Sequence, residues 1–201
     1  MSRCDMTRLA PVGRWEADAP GRLRAAALEL YVERGFEQTT VADIAGRAGL
    51  TARTFFRHFA DKREVLFSGT NALRDRIVDA LEAAPADVPT MVAVGAAVQA
   101  GAEYLGQHRE QSRRRQSIIM AHAELRERGL IKMAFLSAAL ADGLRKRGVP
   151  DPDAALAAET GMVAVRVAFE QWVGARSGPG LPELTRDALG RLTAIVAAVS
   201  H

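Results

Sequence analysis

Glycines and helix-starting residues cut the stretch from Pro20 to Lys62 into three short helical patterns, and this punctuation constrains the fold more than anything else in the chain. The first pattern sets Leu23, Ala26, Ala27, Leu30 and Tyr31 at three- and four-residue steps, the spacing of one helix face. Arg34-Gly35-Phe36 closes it, because glycine accepts the backbone turn that stops a helix. Thr40-Val41-Ala42-Asp43 then reads as a capping box, in which a hydroxyl and a carboxylate each satisfy an orphan amide. Val41, Ile44, Ala45 and Ala48 form the apolar side of this second helix, and Gly49 breaks it. The third pattern, LTARTFFRHFADK from Leu50 to Lys62, follows at once.

That third pattern has two sides. Phe55 and Phe59 are four residues apart and share a face, which predicts core. Ala52, Arg53, Phe56 and Arg57 fall on a neighbouring face, and Thr51, Arg53 and Thr54 crowd the N-terminal end. Three short helices with a glycine turn before the last are the pattern of a helix-turn-helix, whose final helix lies in the DNA major groove. For Arg53 the competing reading is a solvated surface arginine. For His58 it is a surface or hinge-packing side chain.

Asp61-Lys62-Arg63-Glu64 is a further start signal, with Asp as cap and Glu three residues on. It predicts one helix through Val65, Leu66, Leu73, Ile77, Val78 and Leu81, ended by Pro85 and Pro89. Longer amphipathic helices are predicted over about 89–107, 109–122 and 124–147. Gly148-Val149-Pro150-Asp151-Pro152 is a firm break, followed by a helix over about 153–174. After the loop Ser177-Gly178-Pro179-Gly180, the last helix carries Leu181, Leu184, Ala188, Leu192, Ile195 and Val199. Ala, Leu, Arg, Glu and Val dominate a chain that is 48% apolar and 25% charged. The expected fold is all-α with about nine helices. A flexible arm covers 1–17, a three-helix module 18–67 and a larger helical domain 68–201.

The net charge of +3 permits a nucleic-acid partner without requiring one. The single cysteine, Cys4, cannot form an internal disulfide. The start has no signal-peptide core, and apolar runs such as MVAVGAAV are too short to span a bilayer. A soluble cytoplasmic chain with no membrane partner is expected. There is no H-E-x-x-H, no P-loop and no G-x-G-x-x-G after a strand. None of His58, His108, His122 or His201 has a Glu three residues earlier, so the di-iron pattern is missing too. No enzymatic activity, metal or cofactor is expected.

The run AALELYVERGFEQTTVADIAGRAGLTARTFFRHFADKREVL, within Arg22–Leu66, resembles the DNA-binding domain of the TetR family of bacterial transcriptional repressors. The resemblance implies that Thr39 and Thr40 contact phosphate at the start of the second helix, where amides face an anion. It implies that Thr51, Ala52, Arg53 and Thr54 contact bases and backbone. Arg57 and His58 would contact the backbone, and Lys62 would anchor a phosphate. Phe56 stands where the family usually has a tyrosine whose hydroxyl holds a phosphate, so only apolar or stacking contact remains. Arg53 replaces a common glycine and adds a guanidinium able to take guanine O6 and N7, worth about 1–3 kcal/mol of discrimination.

RRRQSIIMAHAELRERGLIKMAFLSAALADGLRKRG and PDPDAALAAETGMVAVRVAFEQWV resemble the subgroup with an acyl-CoA-like ligand-binding domain. Met120, Met133, Met162 and Phe169 are candidates to line a malleable apolar pocket. Arg166, a lone cation in MVAVRVAFEQW, would pair with Glu170, meet an anionic ligand or cross a dimer interface. Arg113-Arg114-Arg115 would hold an acidic ligand group at a pocket mouth or form a solvated helix face. Small residues at Ala154, Ala155, Ala157, Ala158 and Gly161, with the leucine seam of the last helix, would let the last two helices form a homodimer interface. The implied protein is a dimeric repressor of double-stranded operator DNA. A small apolar or acyl-type effector, acyl-CoA-like or otherwise hydrophobic, would release it by moving the fourth helix as a lever. The alternative is a helical dimeric small-molecule binder without sequence-specific DNA binding.

Overall fold

The computed structural model describes residues 18–199, and the expected arm at 1–17, with Cys4, lies outside them. Among the described residues there are nine helices of seven or more residues, one four-residue helix and no strand. The chain divides into two compact units, with the boundary between Leu66 and Phe67. No helix among the described residues is long and apolar enough to cross a membrane.

In the first unit, α1 (Ala19–Arg34) buries Leu23, Ala26, Ala27, Leu30 and Tyr31. Gly35 stops it with φ 84° and ψ 154°, a conformation open essentially to glycine alone. The chain re-enters helix at α2 (Val41–Arg47) through the expected capping box. The Asp43 amide donates to Thr40 Oγ1 at 3.1 Å, and the Thr40 amide donates to Asp43 Oδ2 at 2.9 Å. Gly49, at φ 65°, turns the chain out of α2. Leu50 donates its amide to Ala45 O at 2.8 Å and Gly49 donates to Gly46 O at 3.0 Å, the paired bonds of a Schellman stop. Helix α3 (Ala52–His58) starts under Thr51, whose Oγ1 accepts the Thr54 amide at 3.1 Å, and ends where Phe59 becomes extended.

The single helix predicted from Asp61 to Leu81 is instead two. Asp61 does cap the turn: its Oδ1 accepts the Arg63 and Glu64 amides at 2.8 and 3.0 Å. The helix it opens, α4 (Glu64–Phe67), has four residues, and α5 (Thr70–Ala83) begins after Ser68-Gly69. Glycine is a poor helix former, and the Thr70 hydroxyl competes for a backbone carbonyl, donating to Phe67 O at 2.7 Å. The apolar spacing carried no sign of this interruption.

The second unit holds α5, α6 (Thr90–Leu105), α7 (Arg109–Ala121), α8 (Ala123–Lys146), α9 (Asp151–Gly174) and α10 (Leu181–Val199). Its main core joins Leu73, Ile77 and Leu81 of α5 to Val94 and Val98 of α6, Leu140 and Leu144 of α8, and Met162 and Val165 of α9. The small residues of α9 serve this core and not an outer surface. Ala154, Ala157 and Ala158 are buried, as is Gly161. A Cβ at Gly161 would lie 2.5 Å from Val94 Cγ1, so glycine is what lets α6 approach α9. Of the five small residues expected at a dimer interface, Ala155 alone is exposed. The leucine seam is likewise turned inward at its start, where Leu181 and Leu184 pack with Trp172, Ala168 and Ala102.

Candidate nucleic-acid interface

Helix α3 presents the two sides that its spacing predicts. Phe55 is 0% exposed and Phe59 7%, with ring centroids 5.4 Å apart. Thr51, Ala52, Arg53, Arg57 and His58 are exposed, and Thr54 is half-buried. Phe56 is 59% exposed, its ring edge-on to Phe55 at 5.6 Å and 83°. The Thr51 and Thr54 hydroxyls lie 3.1 Å apart at the start of the helix, so the first turn offers hydroxyls and an arginine together. Helix position is fixed from behind. Arg22 donates to Ala48 O at the turn between α2 and α3. Arg47 of α2 takes Glu33 of α1 in a bidentate pair at 3.1 and 2.8 Å and reaches Glu29 at 3.3 Å.

Thr39 and Thr40 part company. Thr40 is exposed at the N-cap of α2. Its hydroxyl lies 2.6 Å from Asp43 Oδ2, and bonds from the Thr40 hydroxyl and amide hold the Asp43 carboxyl below its ordinary value. Thr39 is fully buried, and its hydroxyl donates to Gly35 O at 2.8 Å. It caps the end of α1 and has no surface to offer a phosphate. The turn at Gly35 folds this threonine back onto the helix it follows.

Lys62 is likewise turned inward. Its Nζ donates to Phe36 O at 2.8 Å, Thr39 O at 3.0 Å and Glu37 O at 3.2 Å. The ammonium also sits 4.5 Å from the centroid of the Phe36 ring. An ammonium has three donors, and three carbonyls occupy them. Lys62 therefore clamps the loop that leads into α2. Tyr31 completes the clamp, donating its hydroxyl to Lys62 O at 2.6 Å; burial first, and Asp61 second, push that hydroxyl well above the ordinary tyrosine value. Nothing local in the sequence marks Tyr31, Arg22 or Arg47 for these roles, because each partner lies fourteen or more residues away.

The candidate effector residues of the second unit do not converge. Met120 is exposed, Met162 is buried in the main core, Met133 packs at that core's edge, and Phe169 stacks beside Trp172 at 5.9 Å in the other cluster. Arg166 is exposed and pairs with Glu170 at 3.3 Å, the local answer among those the sequence left open. A groove of about 990 Å³ lies elsewhere, lined by Met91, Val149, Leu156, Thr160, Leu192 and Val196 among others, and none of the five candidates borders it. The basic run also divides. Arg113 donates from Nε to Val173 O at 3.0 Å and also to Ala175 O, while Arg109 donates to Trp172 O at 2.9 Å. Two cations thus cap the C-terminal carbonyls of α9, where the helix dipole favours them. Arg114 pairs with Glu110 at 3.1 Å on the surface, and Arg115 is half-buried.

Residues 23–68 match the tetR family of bacterial regulatory proteins, and the chain belongs to the TetR family. Residues 88–197 match the MftR C-terminal domain. Curated relatives are similar over part of this chain. TcmR, an HTH-type transcriptional regulator of Streptomyces glaucescens, is 42% identical over 74 residues, 37% of this chain and 33% of its own length. The mycofactocin biosynthesis regulator MftR of Mycobacterium tuberculosis is 39% identical over 54 residues, 27% of each chain. The matched stretches thus span about a third or less of these relatives. Among solved structures, the regulator FadR of Bacillus subtilis in complex with stearoyl-CoA shares the fold, with a TM-score of 0.55 at 18% identity over 85% of this chain and 95% of that one.

Proposed function

We propose that this chain is a ligand-responsive, DNA-binding transcriptional regulator: a homodimeric repressor that leaves its operator when a small acyl-type or otherwise apolar molecule binds. The observation that carries this reading is the division of α3, with Phe55 buried and Arg53, Phe56, Arg57 and His58 outside. A seven-residue helix anchored on one side and lined on the other by arginines and hydroxyls is suited to the major groove. Thr51, Ala52, Arg53 and Thr54 would meet bases and backbone, Arg57, His58 and Thr40 the phosphates, and Lys62 would hold the loop before Thr40 in place. Family membership supports the DNA partner. The stearoyl-CoA bound by FadR, which shares this fold, supports an acyl-type effector.

The dimer reading is supported by apolar side chains left outside on the last two helices. Leu156, Val163 and Val167 of α9 and Ile195 and Val196 of α10 are exposed, and a second copy would bury them in a four-helix bundle. The test is selection of a duplex from random DNA by the full chain, followed by affinity measurements over a series of salt concentrations. The selected duplex is expected to win over a scrambled one at every salt concentration, and stearoyl-CoA to weaken that binding. Equal affinity for both duplexes would leave the alternative, a helical small-molecule binder without sequence-specific DNA binding.

A further inference from the structure

We propose that Phe56 is a specificity-determining residue that reads the 5-methyl group of a thymine in the major groove. The inference rests on reading α3 as the recognition helix. Phe56 is 59% exposed although its neighbours Phe55 and Phe59 are buried, so core packing does not account for it. Its ring stands edge-on to the buried Phe55 ring at 5.6 Å. By helical spacing Arg53, Phe56 and Arg57 share one face, which sets an apolar ring beside two cations.

A phenyl ring has no donor for a phosphate. Base edges in the major groove present hydrogen-bonding groups at every pair and one apolar group, the C5-methyl of thymine. A ring against cytosine or guanine would strip water from polar groups and return nothing. Contact with thymine buries a methyl instead. The same ring thus attracts one base and penalises its competitors, the two halves of specificity. Three residues separate Arg53 from Phe56, a rise of about 4.5 Å along the helix. A guanine read by Arg53 therefore lies within one or two base pairs of this thymine.

The test uses the full chain and the duplex it selects from random DNA. Each thymine is replaced in turn by deoxyuridine, which removes the methyl and keeps the hydrogen-bonding edge. Wild type should lose roughly fourfold in affinity for each contacted methyl, the effect of exposing one methylene-sized group, and nothing at other thymines. Phe56→Ala should bind the thymine and uracil duplexes alike, and Phe56→Tyr should keep the preference. If Phe56→Ala does not fold, Phe56→Gln takes its place with the same expected indifference. Wild-type indifference to every replacement overturns the proposal, and so does an undiminished methyl preference in Phe56→Ala or Phe56→Gln. A chain that prefers no duplex over scrambled DNA fails earlier, on the recognition-helix reading itself.

Discussion

Lys62 and Gly161 hold their units together in opposite ways. Lys62 gathers three backbone carbonyls of the loop before α2 with one ammonium. Gly161 contributes nothing but the absence of a side chain, which lets Val94 close on α9. The contrast extends through both units. In the first, helices of seven residues are too short to be stable alone, and polar side chains tie their ends: Thr40 with Asp43, Thr51 with Thr54, Tyr31 with Lys62, Arg47 with Glu33. In the second, helices of up to 24 residues are held mainly by apolar faces, and polar ties are concentrated at ends, as where Arg147 reaches Leu81 O, Ala84 O and Pro85 O. A unit built on end-ties keeps the outer side of a helix free for a partner. A unit built on faces must leave some apolar face over, and α9 and α10 do.

The sharpest way to break this contrast is at α9. Gly161→Val should cost roughly 1–3 kcal/mol or more by overpacking against Val94, lowering the thermal midpoint of the protein. Val167→Glu, on the exposed face, should leave the protomer folded by circular dichroism and give monomers in sedimentation. If the two outcomes were exchanged, the small residues would be the interface after all. Next in size is Lys62→Met, which keeps the aliphatic stem and orphans three carbonyls. A loss of about 2 kcal/mol in urea unfolding is expected, with weaker binding to all duplexes. Unchanged stability would return Lys62 to the role of a surface cation.

Arg53→Ala should barely move stability, within about 0.5 kcal/mol, because the side chain is exposed. It should relax preference at one base pair by about 1–3 kcal/mol, as read from competition between single-base variants of the selected duplex. Uniform weakening across all variants would make Arg53 a phosphate contact. The smallest effect is in acid. The Arg47 hydrogen bond holds the Glu33 carboxyl below its ordinary value, and Thr40 does the same for Asp43. Lowered folded-state values add stability that is present above the ordinary carboxylate range and lost as pH falls through the lowered values. Both groups are exposed, so the acid-side loss of thermal midpoint should be slight and should shrink further in Asp43→Asn.

Much of the first unit was legible because its signals are local. A cap lies three residues from its partner amide, and Phe55 and Phe59 share a face at any position in any fold. The roles of Thr39 and Lys62 were not legible, since a resemblance transfers a position and leaves open which way its side chain turns. In the second unit helix boundaries were readable from prolines and glycines, yet the partner of each face was not. Ala154, Ala158 and Gly161 suit a close approach wherever it occurs, and spacing alone does not say whether the visitor is α6 or a second chain.

The sequence by itself determined the all-α class, the Thr40 capping box and the Asp61 cap, the two sides of α3 and the breaks at Gly35, Gly49 and Gly148. Each rests on dihedral preference and hydrogen bonding within a few residues. Only the tertiary structure decided that Lys62 and Thr39 face inward and that Arg109 and Arg113 cap α9. It also decided that the small residues Ala154, Ala157, Ala158 and Gly161 of α9 are spent inside the chain's own core. These outcomes depend on which surfaces meet across long stretches of chain, where burial and unsatisfied carbonyls select among arrangements that local spacing leaves equal.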